Sequence, residues 1–590
     1  MTLKELIEQL TVSDIRLSFH SGDIHYDAPS GGINDDIIEA IATHHNDLIE
    51  WLDQSTSSWF SFNLHHSGLT SLYNRRDSQA FEQAHLIEIV EESPPVSAEE
   101  AQFLVHELNE TESQYVPDLC FIKQFQQVAR ANSNAVAVRY RNEFEVDYDD
   151  HDIARINDAH EFAANNAING AVSEISYAEL NSCTEQVTRF FKSRNIKPGD
   201  VIMAHIGSHS DLIIALLATL KLGAVFLPVS VHMPLRYLAR IIEDNQPQFI
   251  LTELATKKRI TAYLDRANVN VERVLVVDCD SFLQQVAQCA EHTPAVEYPA
   301  LASDAPQLLF YDYDNNGLLK RTEFTQRNIA NSLATITETY LLPHVAGSVV
   351  FGDSAKVNNR LVTRTADNQV GSEFGHIEQH FQHFILSILG PLSCGKFVDI
   401  LPASQLSEGL PQLLFNNHQP LCFFLHSKQL QMLTDIPVLP VNAATQHVLN
   451  IFGSDVATSH LHRWVSELLP SAIYRRVFGC FEIANCPLLY HIDKKAVLPN
   501  SKLTIPVGRP TANTRAFILD DDANLVPFGA VGTLYIAGDS LGATPSLDSF
   551  YFSAQRSQFA EVSFPDNTKQ RMLCTGMQAK YQELGNIELV

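Results

Sequence analysis

The hydrophobic positions of residues 1–53 predict a helix, a β-hairpin and a second helix. Apolar residues recur at helical spacing in residues 3–10, alternate on both sides of a turn at residues 21–23, and recur at helical spacing in residues 37–51. The apolar positions of the two predicted strands are Ile15, Leu17, Phe19, Ile24 and Tyr26. We therefore predict a small α+β domain that ends near residue 53.

The pattern changes in the rest of the chain. Residues 54–95 show little periodicity, and a helix is predicted to begin after the prolines at 94 and 95. We interpret residues 54–116 as a linker. From residue 117 to residue 590, apolar strands alternate with amphipathic helices, and this alternation is typical of the doubly wound sheets of α/β proteins. Within that part, residues 140–173 are polar and acidic and predict an inserted, partly disordered loop.

Charge and cysteine content narrow the classes of function. The chain has 590 residues and a net charge of −28, with 69 acidic and 41 basic side chains. This charge argues against nucleic acid or an anionic membrane as a partner. The nine cysteines form no Cys-x-x-Cys pair, which favours reduced thiols in the cytoplasm. We find no signal peptide and no apolar run of the roughly 20 residues that a membrane span needs.

Residues 307–331 contain the first candidate functional site, a possible calcium-binding loop. Its spacing fits the calcium-loop pattern D-x-[DN]-x-[DN]-G-x5-E, which places oxygen atoms around a hard cation and a glycine at the sharp turn. The matching residues are Asp312, Asp314, Asn316, Gly317 and Glu323. One hypothesis is therefore a scaffold protein that calcium regulates through this loop. No second loop of this type pairs with it.

Four other motifs carry a resemblance to a known family. They are ISYAEL at residues 175–180, LKLGA at 220–224, GCFE at 479–482 and GRPTANTRAFILD at 508–520. With them, residues 117–590 resemble the adenylation domain of nonribosomal peptide synthetases, within the adenylate-forming, AMP-binding superfamily. The resemblance implies the large N-terminal subdomain of that fold, with doubly wound sheets and a small β-barrel region that is β-rich from about residue 500 to residue 590.

The segments before residue 117 resemble parts of the same assembly lines. Residues 1–53 are similar to the tubulysin-type N-terminal docking domain, and residues 54–116 resemble a condensation–adenylation linker. The resemblance implies that the hairpin receives the tail of another peptide or polyketide synthetase subunit, and that a homodimer can form through this domain. A small helix–hairpin domain of other use is the alternative.

The resemblance places residues 307–331 at the phosphate-binding loop of the family, where this sequence departs from the pattern. The alignment rests on Tyr311, Gly317 and Lys320. The hydroxyl and glycine positions of the family loop are occupied by Asp312, Tyr313, Asp314, Asn315 and Asn316. Two carboxylates would face a triphosphate, and the glycine that allows a close approach of the backbone is missing.

Other family positions are also changed. Glu482 matches the magnesium-binding carboxylate, but Met577 replaces the aspartate that holds the ribose, and a thioether cannot hold a diol. Gln382 replaces the aspartate that pairs with the substrate ammonium group. The resemblance implies a substrate pocket lined by Gln382, His383, Leu386, Val477, Asn485 and Cys486. Because the match ends before the family's hinge, we expect the C-terminal subdomain to be absent.

We interpret the chain as a catalytically silent, adenylation-like docking or scaffold component of a synthetase assembly line in the cytoplasm. ATP and Mg²⁺ are the family's cofactors, and we expect none here. The alternatives are an amino-acid adenylating enzyme that needs a C-terminal subdomain in trans, and the calcium-regulated scaffold. Ser540 lies in a Gly-Asp-Ser-Leu sequence similar to a carrier protein's phosphopantetheine site, but it ends an alternating strand, which favours a structural role.

Overall fold

The chain forms two compact units, residues 1–83 and 84–590. The computed structural model of the protein describes the following residues: 16–20, 23–27, 86–88, 96–117, 119–141, 172–207, 210–231, 233–266, 273–292, 294, 296–313, 319–352, 387–402, 406–434, 444–453, 458–497, 504–521, 524–543, 559–563 and 569–590. None of the helices among these residues is long and apolar enough to cross a membrane.

The described part of the first unit is a β-hairpin. Strands β1 (Arg16–His20) and β2 (Asp23–Asp27) are antiparallel. Leu17 is the register partner of Tyr26, and Phe19 is the register partner of Ile24. The predicted hairpin is therefore confirmed, while the two predicted helices and Ile15 lie outside the described residues.

Three sheets organise the described part of the second unit. Its strands, in chain order, are β3 (Leu86–Glu88), β4 (Val136–Arg141), β5 (Val172–Ser176), β6 (Val201–His205), β7 (Val225–Pro228), β8 (Phe249–Thr252), β9 (Val274–Val276), β10 (Pro306–Tyr313), β11 (Leu319–Thr325), β12 (Gly347–Gly352), β13 (Phe397–Pro402), β14 (Leu421–His426), β15 (Val448–Phe452), β16 (Ile473–Phe478), β17 (Leu488–His491), β18 (Arg509–Pro510), β19 (Thr514–Leu519), β20 (Val531–Gly538), β21 (Phe559–Ser563), β22 (Lys569–Tyr581) and β23 (Ile587–Leu589).

Helices follow many of these strands. In chain order they are α1 (Ala98–Gln102), α2 (Phe121–Ala131), α3 (Tyr177–Ser193), α4 (Ser210–Lys221), α5 (Leu235–Asn245), α6 (Leu254–Arg266), α7 (Asp280–His292), α8 (Gln326–Thr339), α9 (Gly390–Ser393), α10 (Leu406–Phe415), α11 (Ser427–Thr434) and α12 (Thr458–Arg463). Single turns of π-helix lie at Phe103–Glu107 and Trp464–Leu468, and 3₁₀ turns at Lys494–Ala496 and Glu583–Gly585.

The first two sheets are largely parallel. One has six strands in the order β11-β10-β7-β6-β8-β9, and the other has nine in the order β18-β17-β16-β15-β14-β12-β13-β4-β5. The largest apolar cluster takes members from both sheets and from α3, α4 and α8. Strands that are buried on both faces need continuous apolar sequences, as in LCFFLH of β14. The α/β fold class predicted from the sequence is confirmed.

The third sheet is antiparallel apart from its edge. Its order is β19-β20-β22-β21-β3, and β23 pairs with β22. Residues alternate between its faces, so Ala516 and Ile518 join one apolar cluster while Phe517 and Leu519 join another. The β-rich character of this region follows from that alternation.

Residues 96–117, which we call the strap, cover this third sheet. Val96, Ala101 and Val105 belong to the cluster of Phe517, whereas Leu104 and Leu108 belong to the cluster of Ala516. The Asn109 side-chain amide pairs with the backbone of Ala516 on β19. Its Oδ1 accepts a hydrogen bond from the Ala516 amide nitrogen at 2.7 Å, and its Nδ2 donates to the Ala516 carbonyl at 3.3 Å. Residues that the sequence marks as linker thus form a structural layer of the second unit.

Candidate functional site

Strands β10 and β11, which lie in the stretch of residues 307–331 that contains the possible calcium-binding loop, form a β-hairpin. Leu308–Tyr311 is a buried apolar run, and it continues β10 beside β7, where Leu308 pairs with Phe226. In the antiparallel pairing of β10 with β11, Asp312 is the register partner of Lys320 and Tyr313 that of Leu319. The loop residues Asp314, Asn315, Asn316 and Gly317 lie outside the described residues.

This geometry differs from that of a calcium loop. In a helix–loop–helix site the first and twelfth positions of the loop converge on one cation. Here Asp312 and Glu323 lie on paired strands, and Glu323 is the register partner of Leu309, three residues before Asp312. Glu323 instead forms an ion pair with Arg321 at 2.5 Å. No cluster of three or more metal-binding side chains occurs in the described part of the chain.

Lys320 lies close to Glu482, the glutamate at the predicted magnesium-binding position. The Lys320 Nζ lies 3.6 Å from Glu482 Oε1, and the Glu482 side chain is only 6% exposed. The pair is an ion pair rather than a hydrogen bond, since Oε1 has no hydrogen-bond partner. Burial, followed by the Glu482 charge, raises the pKa of the nearby Cys480 thiol well above its usual range. The protonated form of the Cys480 thiol is therefore favoured over the thiolate.

The backbone of the Glu482 turn is held by residues 538–543. The Gly542 amide donates to the Glu482 carbonyl at 2.8 Å, and the Ala484 amide donates to the Ser540 carbonyl at 2.7 Å. A Cβ atom at Gly542 would lie 2.5 Å from the Thr322 side chain. Only glycine therefore allows this segment to pass so close to β11.

Ser540 has a structural role. It is buried, and its hydroxyl accepts a hydrogen bond from Asn331 Nδ2 at 2.7 Å. A carrier-protein serine must reach a phosphopantetheinyl transferase from the surface, which this side chain does not do. The structure agrees with the strand interpretation of the Gly-Asp-Ser-Leu sequence.

Met577 lies on β22 with 42% of its surface exposed. Its amide donates to Thr575 Oγ1 at 3.2 Å across Gly576, which has a left-handed φ of 70°. The side chain offers a weak thioether acceptor and no carboxylate. It stands at the position that the sequence alignment gives to the ribose anchor.

Three of the six predicted pocket residues are described. Val477, Asn485 and Cys486 are buried, and Val477 and Cys486 belong to the main apolar cluster. Neither amide atom of Asn485 has a hydrogen-bond partner. Gln382, His383 and Leu386 lie outside the described residues.

Asn450 is a second buried amide in this region, and it was not among the residues predicted from the sequence. Asn450 is the register partner of Arg475 on β16 and of Phe424 on β14. Its Nδ2 donates to the Phe423 carbonyl at 3.2 Å, and its Oδ1 has no partner. The available signal was a single polar residue inside the apolar strand VLNIF.

Comparisons with known proteins agree with this architecture. Residues 157–544 match the model of the AMP-binding enzyme family, about two thirds of the chain. The chain belongs to the AMP-binding enzyme family. Residues 3–54 match the TubC N-terminal docking domain.

The relatives of this family member include peptide synthetases. A plipastatin synthase subunit from Bacillus subtilis is 23% identical over 500 residues, covering 84% of this chain and 16% of the relative. Malpibaldin synthetase of Mortierella alpina is 22% identical over 506 residues, covering 83% of this chain and 8% of the relative. The chain thus spans a small part of these relatives' length.

Solved structures share the fold. The N-terminal subdomain of NpsA from Klebsiella oxytoca, in complex with 3-hydroxybenzoyl-AMSN, matches with a TM-score of 0.56 and 18% identity, covering 81% of this chain and 100% of that one. The nonribosomal peptide synthetase FmoA3 matches with a TM-score of 0.61 and 18% identity, covering 97% and 50%. The protein is therefore adenylation-domain-like, with a docking domain at its N-terminus.

The buried Glu482 charge gives a testable prediction for stability. Replacing Lys320 with Met leaves a buried carboxylate without its cation, and we expect a loss of about 1–3 kcal/mol of unfolding free energy. Urea unfolding measures this loss. The exposed Lys192→Met variant is the matched control, and adding Glu482→Gln to Lys320→Met is expected to recover part of the loss. A Lys320→Met variant as stable as the wild type would contradict the ion-pair assignment.

Proposed function

We propose that this family member is a catalytically silent component of a nonribosomal peptide synthetase assembly line that docks and recruits other subunits. The observation that carries the proposal is the environment of Lys320. It faces Glu482 at 3.6 Å and is the register partner of Asp312 across the hairpin. The cation at the position that the alignment gives to the phosphate-binding lysine is thus paired with one carboxylate of the protein, and Asp312 lies opposite it on the neighbouring strand.

Electrostatics make this arrangement unfavourable for a nucleotide. ATP brings about four negative charges, and Asp312, opposite Lys320 on the neighbouring strand, adds another. At an effective dielectric constant near 20, two like charges about 4 Å apart repel by about 4 kcal/mol. ATP and Mg²⁺ are the ligands that the family implies. Glu482 stands at the position of the magnesium-binding carboxylate, but Asp312 and Met577 do not fit the nucleotide.

The position of Met577 supports the same conclusion. A ribose anchor has to accept hydrogen bonds from two hydroxyl groups, which a carboxylate does with two oxygen atoms. The exposed thioether of Met577 cannot replace it. Loss of phosphate affinity and of the ribose anchor together would remove both ends of nucleotide recognition.

The docking function rests on the first unit and on the relatives. Residues 3–54 match a docking-domain model, and the relatives include subunits of plipastatin synthase and linear gramicidin synthase. The register pairs Leu17 with Tyr26 and Phe19 with Ile24, so the four apolar positions share one face of the hairpin. We propose that this face receives a synthetase partner, that the domain also forms a homodimer, and that the protein works in the cytoplasm.

A second candidate function is amino-acid adenylation with a C-terminal subdomain supplied in trans. The observation that favours it is Asn485, a buried amide with two unpaired polar atoms among apolar pocket residues. Unpaired buried amides are costly, and they are retained at sites that bind a polar ligand group. The loss of the nucleotide anchors argues more strongly for the silent protein.

Hydroxamate formation separates the two candidates. The full chain is incubated with ATP, Mg²⁺, hydroxylamine and each proteinogenic amino acid, alone and with an isolated adenylation C-terminal subdomain added in trans. We expect no hydroxamate above background in either case. We also expect none from Met577→Asp, because Asp312 and Asp314 remain in the phosphate-binding stretch. Product with any amino acid would establish the enzyme instead.

Sedimentation velocity tests the homodimer. We expect the wild-type chain to sediment at about twice its monomer mass of 65.9 kDa. Deleting residues 3–54, which match the docking-domain model, is expected to give the monomer. Phe528→Asp, at an exposed position of the second unit, is the control and is expected to leave the dimer intact. A wild-type monomer at all concentrations would refute homodimerisation.

A further inference from the structure

Asn513 connects two segments that are far apart in sequence. It has a left-handed backbone with φ of 55°, a conformation that asparagine tolerates better than most residues. Its amide donates to the Thr111 carbonyl at 2.8 Å, and its side-chain Oδ1 accepts from the Ser113 amide at 2.8 Å. Both bonds fasten residues 111–113 of the strap to the start of β19.

The other half of the Asn513 side chain points to α8. Its Nδ2 donates to Asn331 Oδ1 at 2.8 Å, and Asn331 Nδ2 in turn donates to Ser540 Oγ at 2.7 Å. Asn331 and Ser540 are buried. Since the Asn331 amide has its oxygen on Asn513 and its nitrogen on Ser540, its orientation is set by both neighbours.

A second route joins the same two segments. The Tyr115 hydroxyl donates to Asp539 Oδ2 at 2.6 Å, and burial together with Asp539 raises the pKa of Tyr115, so the phenol stays protonated. Asn328 Nδ2 donates to the Asp539 carbonyl at 2.7 Å. The Asp539 amide also donates to the Asn513 carbonyl at 3.3 Å.

Residues 538–543, which these hydrogen bonds hold, contact the turn that carries Glu482. Residues 538–543 include Gly542, whose amide donates to the Glu482 carbonyl, and Ser540, whose carbonyl accepts from the Ala484 amide. The turn that carries Glu482 therefore has two backbone contacts to a segment that Asn513 holds from the other side. Every residue in this chain of bonds belongs to the described part of the protein.

We propose that Asn513 is a positioning residue, which ties the strap to residues 538–543 and through them fixes the Glu482 turn. This inference goes beyond the proposed function and does not depend on it, because it concerns backbone order in the ligand-free protein.

Hydrogen–deuterium exchange of the full chain tests the proposal. Asn513→Gly keeps the left-handed backbone accessible and removes both side-chain hydrogen bonds. We expect deuterium uptake to rise several-fold in peptides covering 109–115, 538–543 and 478–486, with no change in 421–426 and 448–452. Asn195→Gly is the matched control, since Asn195 also has a positive φ, 65°, and is exposed.

A second variant distinguishes transmission from Asn513 to the Glu482 turn from a general loss of stability. Asn513→Asp keeps the acceptor for Ser113 but lacks the donor to Asn331, so we expect faster exchange at 538–543 and 478–486 and little change at 109–115. This variant carries the test if Asn513→Gly folds poorly. A rise confined to 109–115, an equal rise in all peptides, or no rise at 478–486 would overturn the proposal.

Discussion

The third sheet needs an apolar cover on both of its faces, and the strap supplies members of both. Without the strap, the face of the sheet that carries Phe517, Leu519 and Tyr535 would be exposed to water. Burial of an apolar side chain of this size contributes about 1.5–3 kcal/mol to the free energy of folding. The strap lies upstream of the two α/β sheets in sequence but packs on a sheet built mostly from the end of the chain. A segment that looks like a connection is thus part of the fold, and it also reaches the Glu482 turn through Asn513.

The second unit has the fold of the AMP-binding family, and we propose that it differs from the family at positions that would handle a nucleotide. The apolar strands, Gly542 and the Asn328 and Asn331 amides hold the backbone in place. In the alignment that the sequence motifs suggest, Asp312 stands where the family has a hydroxyl and Met577 stands where it has a carboxylate. Packing and chemistry depend on different residues, so one can be lost while the other remains.

Local patterns predicted much of this molecule. The alternation of Leu17 and Phe19 gives the first hairpin, and the apolar runs give the α/β sheets. The family resemblance singled out Glu482, and the structure places its carboxylate 3.6 Å from Lys320 Nζ. The roles of Asn450, Asn513 and Asn109 could not be predicted, because each is defined by a partner that is distant in sequence. A lone asparagine has the same local pattern whether it turns a loop or connects two segments.

Isothermal titration of the full chain with ATP and Mg²⁺ tests the central claim most directly. An adenylation enzyme that is active under the same conditions serves as the positive control. Because Lys320 is already paired with Glu482, Asp312 adds a negative charge on the neighbouring strand, and Met577 has no carboxylate for a ribose, we expect no saturable binding, with any dissociation constant weaker than about 1 mM. Micromolar binding of ATP would contradict the account.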